Sequence, residues 1–179
     1  MRRLAHIFTR TGDDGYTFCP ALNARVPKDH PLIEAVGSLD EANSFIGLAR
    51  ALLPPHLSRE LDGDLAYAQR LLFRIGYTVM GRPSVTEDDV RRLEELSDKY
   101  YGRAPLRHFI LPSGPAPAAA LHVARTVVRR AERALVRALR EAGVSVDRRA
   151  LAAANRLSSF LFAAAVYVAR SMGYPEEEA

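Results

Sequence analysis

The segment LHVARTVVRRAER, residues 121–133, carries charge on two faces of what its spacing makes one helix. At about 100° per residue, Ala124, Val127, Val128, Ala131 and Leu135 share an apolar arc, and Arg130, Arg133 and Arg137 lie roughly opposite as ordinary solvated surface. His122, Arg125, Arg129 and Glu132 form a separate stripe at the edge of the arc. Side chains there are usually half buried, so charge in that position calls for a partner or a ligand. With a net charge of +4, a polyanion such as a nucleotide is one ligand class the chain favours.

Two other predicted helices repeat the anomaly. Ile33, Val36, Asp40, Asn43 and Gly47 fall on one seam at heptad-like spacing, and so do Leu151, Asn155, Ser158, Phe162 and Val166. Taken singly, such polar residues fix helix register or satisfy one another. Three helices interrupted alike make a shared polar cleft, within the bundle or between subunits, the simpler reading. Near the start, TRTGDDGYT (residues 9–17) offers the hydroxyls of Thr9, Thr11 and Thr17, with Gly12 and Gly15 free to turn backbone N–H groups inward. The segment lacks the Gly-Lys-Ser/Thr ending of a Walker A loop, and such clusters are usually plain turns. Asp13 could order the loop or meet Mg²⁺, Asp14 would repel a phosphate unless it pointed outward, and Lys28 is the nearest lysine downstream.

The elements that must position these groups are helical. The 179 residues suit one domain, residues 1–179, and their Ala-, Leu- and Arg-rich, aromatic-poor composition is that of a helical protein. After an irregular segment 1–30, Pro31 opens a helix to about Leu53, stopped by Pro54-Pro55. Further helices are predicted over Ser58 to Met80, from a Thr86/Asp89 capping box to Tyr101, over Ala118 to Glu141 closed by Gly143, and from an Asp147 cap to Ser171. Residues 102–117 connect the third and fourth, and residues 173–179 form an acidic tail. The expected fold is all-α, a five-helix up-and-down bundle spanning 31–172. The apolar run 160–169 falls short of the roughly 20 residues of a membrane span, and no signal-peptide core develops, so no membrane partner is expected. Cys19, the single cysteine, excludes an intramolecular disulfide and a thiolate metal cluster and points to a reducing cytoplasm. No metal-like histidine pair occurs, and His122 reads as a satisfied interface histidine.

Six segments, in order, carry a family resemblance: TRTGDDGYT, RVPKDHP (25–31), GSLDEANSFIGLAR (37–50), FILPSG (109–114), LHVARTVVRRAER and NRLSSFLF (155–162). Together they resemble the PduO-type ATP:cob(I)alamin adenosyltransferases. The resemblance implies a five-helix bundle assembling as a homotrimer with sites between subunits, acting on ATP with Mg²⁺ and on reduced cobalamin. It further implies a reductase and an adenosylcobalamin-dependent enzyme as partners. Carried over by residue, it places Thr9, Arg10, Thr11, Gly12, Thr17 and Lys28 around the triphosphate, with Arg129 on the phosphates and Asn155 at the nucleoside end. Arg130, Glu132 and Arg133 fall in the same segment, the two arginines reaching ATP only from a neighbouring subunit's side. Asp40 and Arg125 would pair across the interface beside the corrin, and Phe109, otherwise an ordinary core aromatic, would press on its lower face.

The chain departs from the family pattern at Asp14, commonly basic, and in Phe18 to Asn23, where a Gly-Gly pair is common. It also departs at Ser113, commonly glycine, and at Ser159, commonly aspartate. The first two bear on closure over ATP, the last two on the cobalamin side. A binding or delivery protein of the same fold is the alternative reading. A nucleic-acid binder using Arg130, Arg133, Arg137 and Arg140 is disfavoured, because no aromatics interleave the stripe.

Overall fold

The computed structural model describes residues 8, 10–141, 145 and 147–179. Thr9 and Gly143 lie outside the described residues. Five helices follow a short hairpin: α1 (Pro31–Leu52), α2 (Pro55–Val79), α3 (Glu87–Arg103), α4 (Ala116–Glu141) and α5 (Arg148–Ser171). Their starts are chemical. Proline stands at the first turn of α1 and of α2, where its missing N–H is no loss, and α2 therefore begins at Pro55, three residues ahead of the predicted Ser58. Thr86 and Asp89 form a reciprocal capping box on α3, and the Asp147 carboxylate accepts the Arg149 N–H at 2.9 Å to open α5.

The amphipathic helices bury one common core. Helix α4 packs between α1 and α5, α3 lies along α5, and α2 closes against α1 and α5. Long and apolar enough by composition to cross a membrane, α5 spends 67% of that stretch buried inside the bundle. The α1–α2 contact is fixed by polar bonds: Gln69 Nε2 donates to Asn43 Oδ1 at 2.7 Å, Asn43 Nδ2 donates to the Gln69 carbonyl at 3.0 Å, and Arg50 forks onto Asp62. Gly47 leaves this contact room, because a Cβ would stand 3.2 Å from Gln69 Nε2 and press on the Asn43–Gln69 pair.

The structure corrects two expectations of pattern. Part of the segment expected to be irregular is an antiparallel hairpin, β1 (Tyr16–Cys19) with β2 (Ala24–Pro27), joined through a 3-10 turn at Pro20–Leu22. On α1 the core seam is Leu32, Ala35, Leu39, Ala42, Ile46 and Ala49, so Ile33 and Val36 flank the core and Asp40 is exposed. The heptad-like reading slipped about one position because alanines, weakly hydrophobic in a sequence, fill close helix contacts well. On α5, likewise, Ser158 and Val166 are buried while Asn155 is exposed.

The 104–115 connection is held by the acidic tail. Leu111 N–H donates to the Glu177 carbonyl at 2.8 Å, and Ala179 N–H donates to the Phe109 carbonyl at 3.0 Å. Arg170 pairs with Glu176 and reaches the Pro105 carbonyl at 2.9 Å. The tail is thus a strap across this connection, a role its composition gave no reason to expect.

Candidate active site

The four stripe residues of α4 occupy graded positions. His122 is 4% exposed, and its Nδ1 has no hydrogen-bond partner among the described residues of this chain. Its ring centroid lies 6.0 Å from that of Phe162 on α5. Burial, then the neighbouring Arg125, brings its pKa down to about 4, so it is neutral at pH 7. Half-buried Arg125 sits with its guanidinium 5.5 Å from the Phe162 centroid, and its Nε is likewise unpartnered. Burial and the charge of Arg129 lower its pKa, both acting against the cation. Among the described residues no carboxylate pairs with it. Arg129, one turn on, is exposed.

Two adjoining cavities meet at Arg129. The first, about 690 Å³, is walled by Phe109 and His108 from the connection, Arg125 and Arg129 from α4, and Ser158 and Phe162 from α5. Phe109 is 90% exposed here, so it is no core aromatic. The second, about 630 Å³, is polar and is lined by Arg129, Glu132, Arg133, Arg137, Arg140 and Asn155. Asn155 Nδ2 donates to Glu132 Oε1 at 3.0 Å, which orients both groups, and Arg133 Nη1 donates to the Arg129 carbonyl at 3.1 Å. Arg130 stands apart and pairs with Glu41 on α1. An apolar cavity beside a basic one, sharing one guanidinium, can hold a large flat ligand against a polyanion.

The remaining site residues lie elsewhere in the chain. Asp40 and Thr17 line a groove between α1 and α2 of about 490 Å³, with Asn43, Phe73 and Tyr77. Neither α4 cavity includes Asp40, and the groove includes none of the arginines, so one chain does not join Asp40 to Arg125. Ahead of the hairpin, Gly15 takes a left-handed φ of 82°, its N–H donates to the Gly12 carbonyl at 3.3 Å, and its own carbonyl accepts the Lys28 N–H at 2.9 Å. Strand pairing thereby folds Lys28 back onto the loop. A Cβ on Gly12 would stand 3.1 Å from Lys28 Nζ and 3.3 Å from the Tyr16 carbonyl oxygen, so a side chain there would push the ammonium aside. Arg10 holds a left-handed φ of 61°, strained for a side-chain-bearing residue, with its guanidinium 5.3 Å from the Phe8 centroid. Thr11 is exposed nearby.

The family model for cobalamin adenosyltransferase matches residues 7–168. A corrinoid adenosyltransferase of Bacillus subtilis (strain 168) is 38% identical over 179 residues, covering 96% of this chain and 91% of the relative. The corrinoid adenosyltransferase MMAB of Mus musculus is 35% identical, covering 98% and 77%. A solved variant of the PduO-type ATP:corrinoid adenosyltransferase from Lactobacillus reuteri, complexed with cobalamin and ATP, superposes with a TM-score of 0.89 at 34% identity, covering 97% of this chain and 96% of that one. The five-helix bundle is thus the scaffold of an adenosyl-transferring enzyme. The chain belongs to the cobalamin adenosyltransferase family, and its type is the PduO-type corrinoid adenosyltransferase.

Proposed function

We propose that the chain transfers the 5′-deoxyadenosyl group of ATP to the cobalt of cob(I)alamin, releasing tripolyphosphate. The observation that carries the reading is Arg129 at the junction of the Phe109 cavity and the Glu132–Asn155 cavity. Cob(I)alamin is a strong nucleophile: its cobalt electron pair forms the Co–C5′ bond while the C5′–O bond breaks and its electrons leave with the triphosphate. No protein base is needed, so the residues act by positioning and by stabilising the leaving charge. Arg129 contacts the phosphates, Asn155 and Glu132 hold the nucleoside end, and Arg133 borders the polyanion, whereas Arg130, paired with Glu41, would reach it only from a neighbouring subunit's side. Arg10, Thr11, Gly12, Thr17 and Lys28 close on the triphosphate. Phe109, presented on the strapped connection, presses on the lower corrin face, displaces the axial ligand and eases reduction of Co(II).

Mg²⁺ fits as a companion of ATP. Among the described residues no cluster of three metal-ligating side chains exists, and Asp14 is engaged by Arg25, which leaves Asp13 and phosphate oxygens as the ligand set such a hard ion accepts. Asp40 and Arg125 sit in separate depressions of one chain, and Arg125 has a buried unpartnered nitrogen. Both facts support a homotrimer in which Asp40 of one subunit pairs with Arg125 of the next and brings the N-terminal loop over the α4 cavities. A reductase would supply the electron, an adenosylcobalamin-dependent enzyme would take the product, and the buried Cys19 suits the reducing cytoplasm where we place these steps. The test is incubation with ATP, Mg²⁺ and chemically reduced cobalamin, following the cobalamin spectrum. Formation of adenosylcobalamin with tripolyphosphate is expected. Tight binding of both substrates without turnover would instead favour a delivery protein.

A further inference from the structure

The hairpin that folds Lys28 onto the loop carries one more charged group, which the adenosyl-transfer reading leaves without a task. Arg25 stands on β2 opposite Phe18. Its Nη2 donates to both Asp14 oxygens, at 2.8 and 3.0 Å, and to the Thr11 carbonyl at 2.9 Å. The guanidinium lies 5.8 Å from the Tyr16 ring centroid, and Asp14 Oδ1 also accepts the Tyr16 N–H at 3.1 Å. One side chain therefore ties the residue before Gly12 to the residue before Gly15, the two glycines on which the turn depends. The Tyr16 amide and then Arg25 hold the Asp14 carboxyl below the usual carboxylate range, so it is charged at neutral pH. A bare carboxylate in this loop would oppose a triphosphate. The fork cancels it, and Lys28 has no ion-pair partner among the described residues.

We propose that Arg25 is a positioning residue for the nucleotide: it neutralises Asp14, sequesters the Thr11 carbonyl and leaves the Lys28 ammonium beside Gly12 without a competing carboxylate at position 14. This rests on the reading of the loop as the triphosphate cradle. It also accounts for how an acidic residue is accommodated at position 14.

The test measures MgATP binding by calorimetry, together with KM for ATP, KM for cobalamin and kcat, on the full chain and on Arg25→Met, Arg25→Lys, Asp14→Asn and the Asp14→Asn/Arg25→Met double variant. Circular dichroism and thermal unfolding confirm that each variant folds. Because the pair is exposed, Arg25→Met should weaken ATP about fivefold, in Kd and KM alike, with kcat and cobalamin KM within about twofold. Arg25→Lys should lie between Arg25→Met and wild type. The double variant should recover most of the lost affinity, since the charge that needed cancelling is gone. A role confined to hairpin packing would show no such recovery. Wild-type protein that binds ATP, with an Arg25→Met variant that binds it equally well or a double variant no better than the single, overturns the assignment of Arg25. Wild-type protein that neither binds nor consumes ATP overturns the underlying reading of the loop.

Discussion

Phe109→Ala separates a role in folding from a role in chemistry. The ring is 90% exposed, while its backbone is fixed by the Ala179 N–H on one side and the Leu111–Glu177 bond on the other. Removing it opens no cavity, so stability should change by no more than about 0.5 kcal/mol. Pressed against a corrin the same ring would lose nearly all of its exposed area, and burying a phenylalanine side chain is worth about 1.5–3 kcal/mol. Spent on displacing the axial ligand, that energy corresponds to a factor of roughly 10 to 150 in the equilibrium feeding Co(II) reduction. Turnover begun from cob(II)alamin with a reductant should therefore fall by about one to two orders of magnitude, and turnover from prereduced cob(I)alamin by no more than about threefold. Both rates are read from the growth of the adenosylcobalamin band at saturating ATP. Equal losses from the two starting states would refute the displacement role, and a large drop in Tm would show that the ring packs into the fold after all.

Arg129→Ala should lower kcat/KM for ATP by about 10- to 100-fold, the loss of one charge-assisted bond of about 1.5–3 kcal/mol, while cobalamin binding measured by fluorescence quenching changes little. His122 supplies a pH signature. Its folded pKa of about 4 lies below the 6.5 of the free side chain, so its stabilising contribution is complete above about pH 6.5 and is lost as pH falls towards 4. Urea unfolding of wild type and His122→Asn at about pH 7.5 and about pH 5 should show the wild type losing about 2 kcal/mol more on acidification, and parallel losses would refute the neutral buried state.

Helix ends were the most legible part of the sequence, because their signals are local. Pro31, Pro54-Pro55, the Thr86/Asp89 box and Asp147 each act on backbone within a turn of themselves, and each does so in the structure. The hairpin was not legible: its strands are four residues each, too short for an alternating pattern to stand out, their aromatics Tyr16 and Phe18 face outward, and only Cys19 and Val26 are buried. The α4 stripe was visible as charge out of place, and Arg125 and Arg129 do wall the large cavity. Asp40 was visible for the wrong reason, since it lies beside the core seam and not on it. The strap on Phe109 was invisible, because it joins residues some seventy positions apart through backbone atoms that no side chain advertises. The Arg25–Asp14 fork was hidden in the same way, needing the hairpin before the two charges meet.

Cys19 is the one cysteine of the sequence, and it is fully buried with its Sγ 3.9 Å from Met80 Sδ. In the folded protein that thiol is shielded from alkylating reagents, so the native background for labelling is silent. A cysteine introduced at exposed Ser113 becomes the single addressable thiol, four residues from Phe109. A dye attached there reports on the rim of the large cavity, and the appearance of a second reactive thiol counts the chains that have lost their fold.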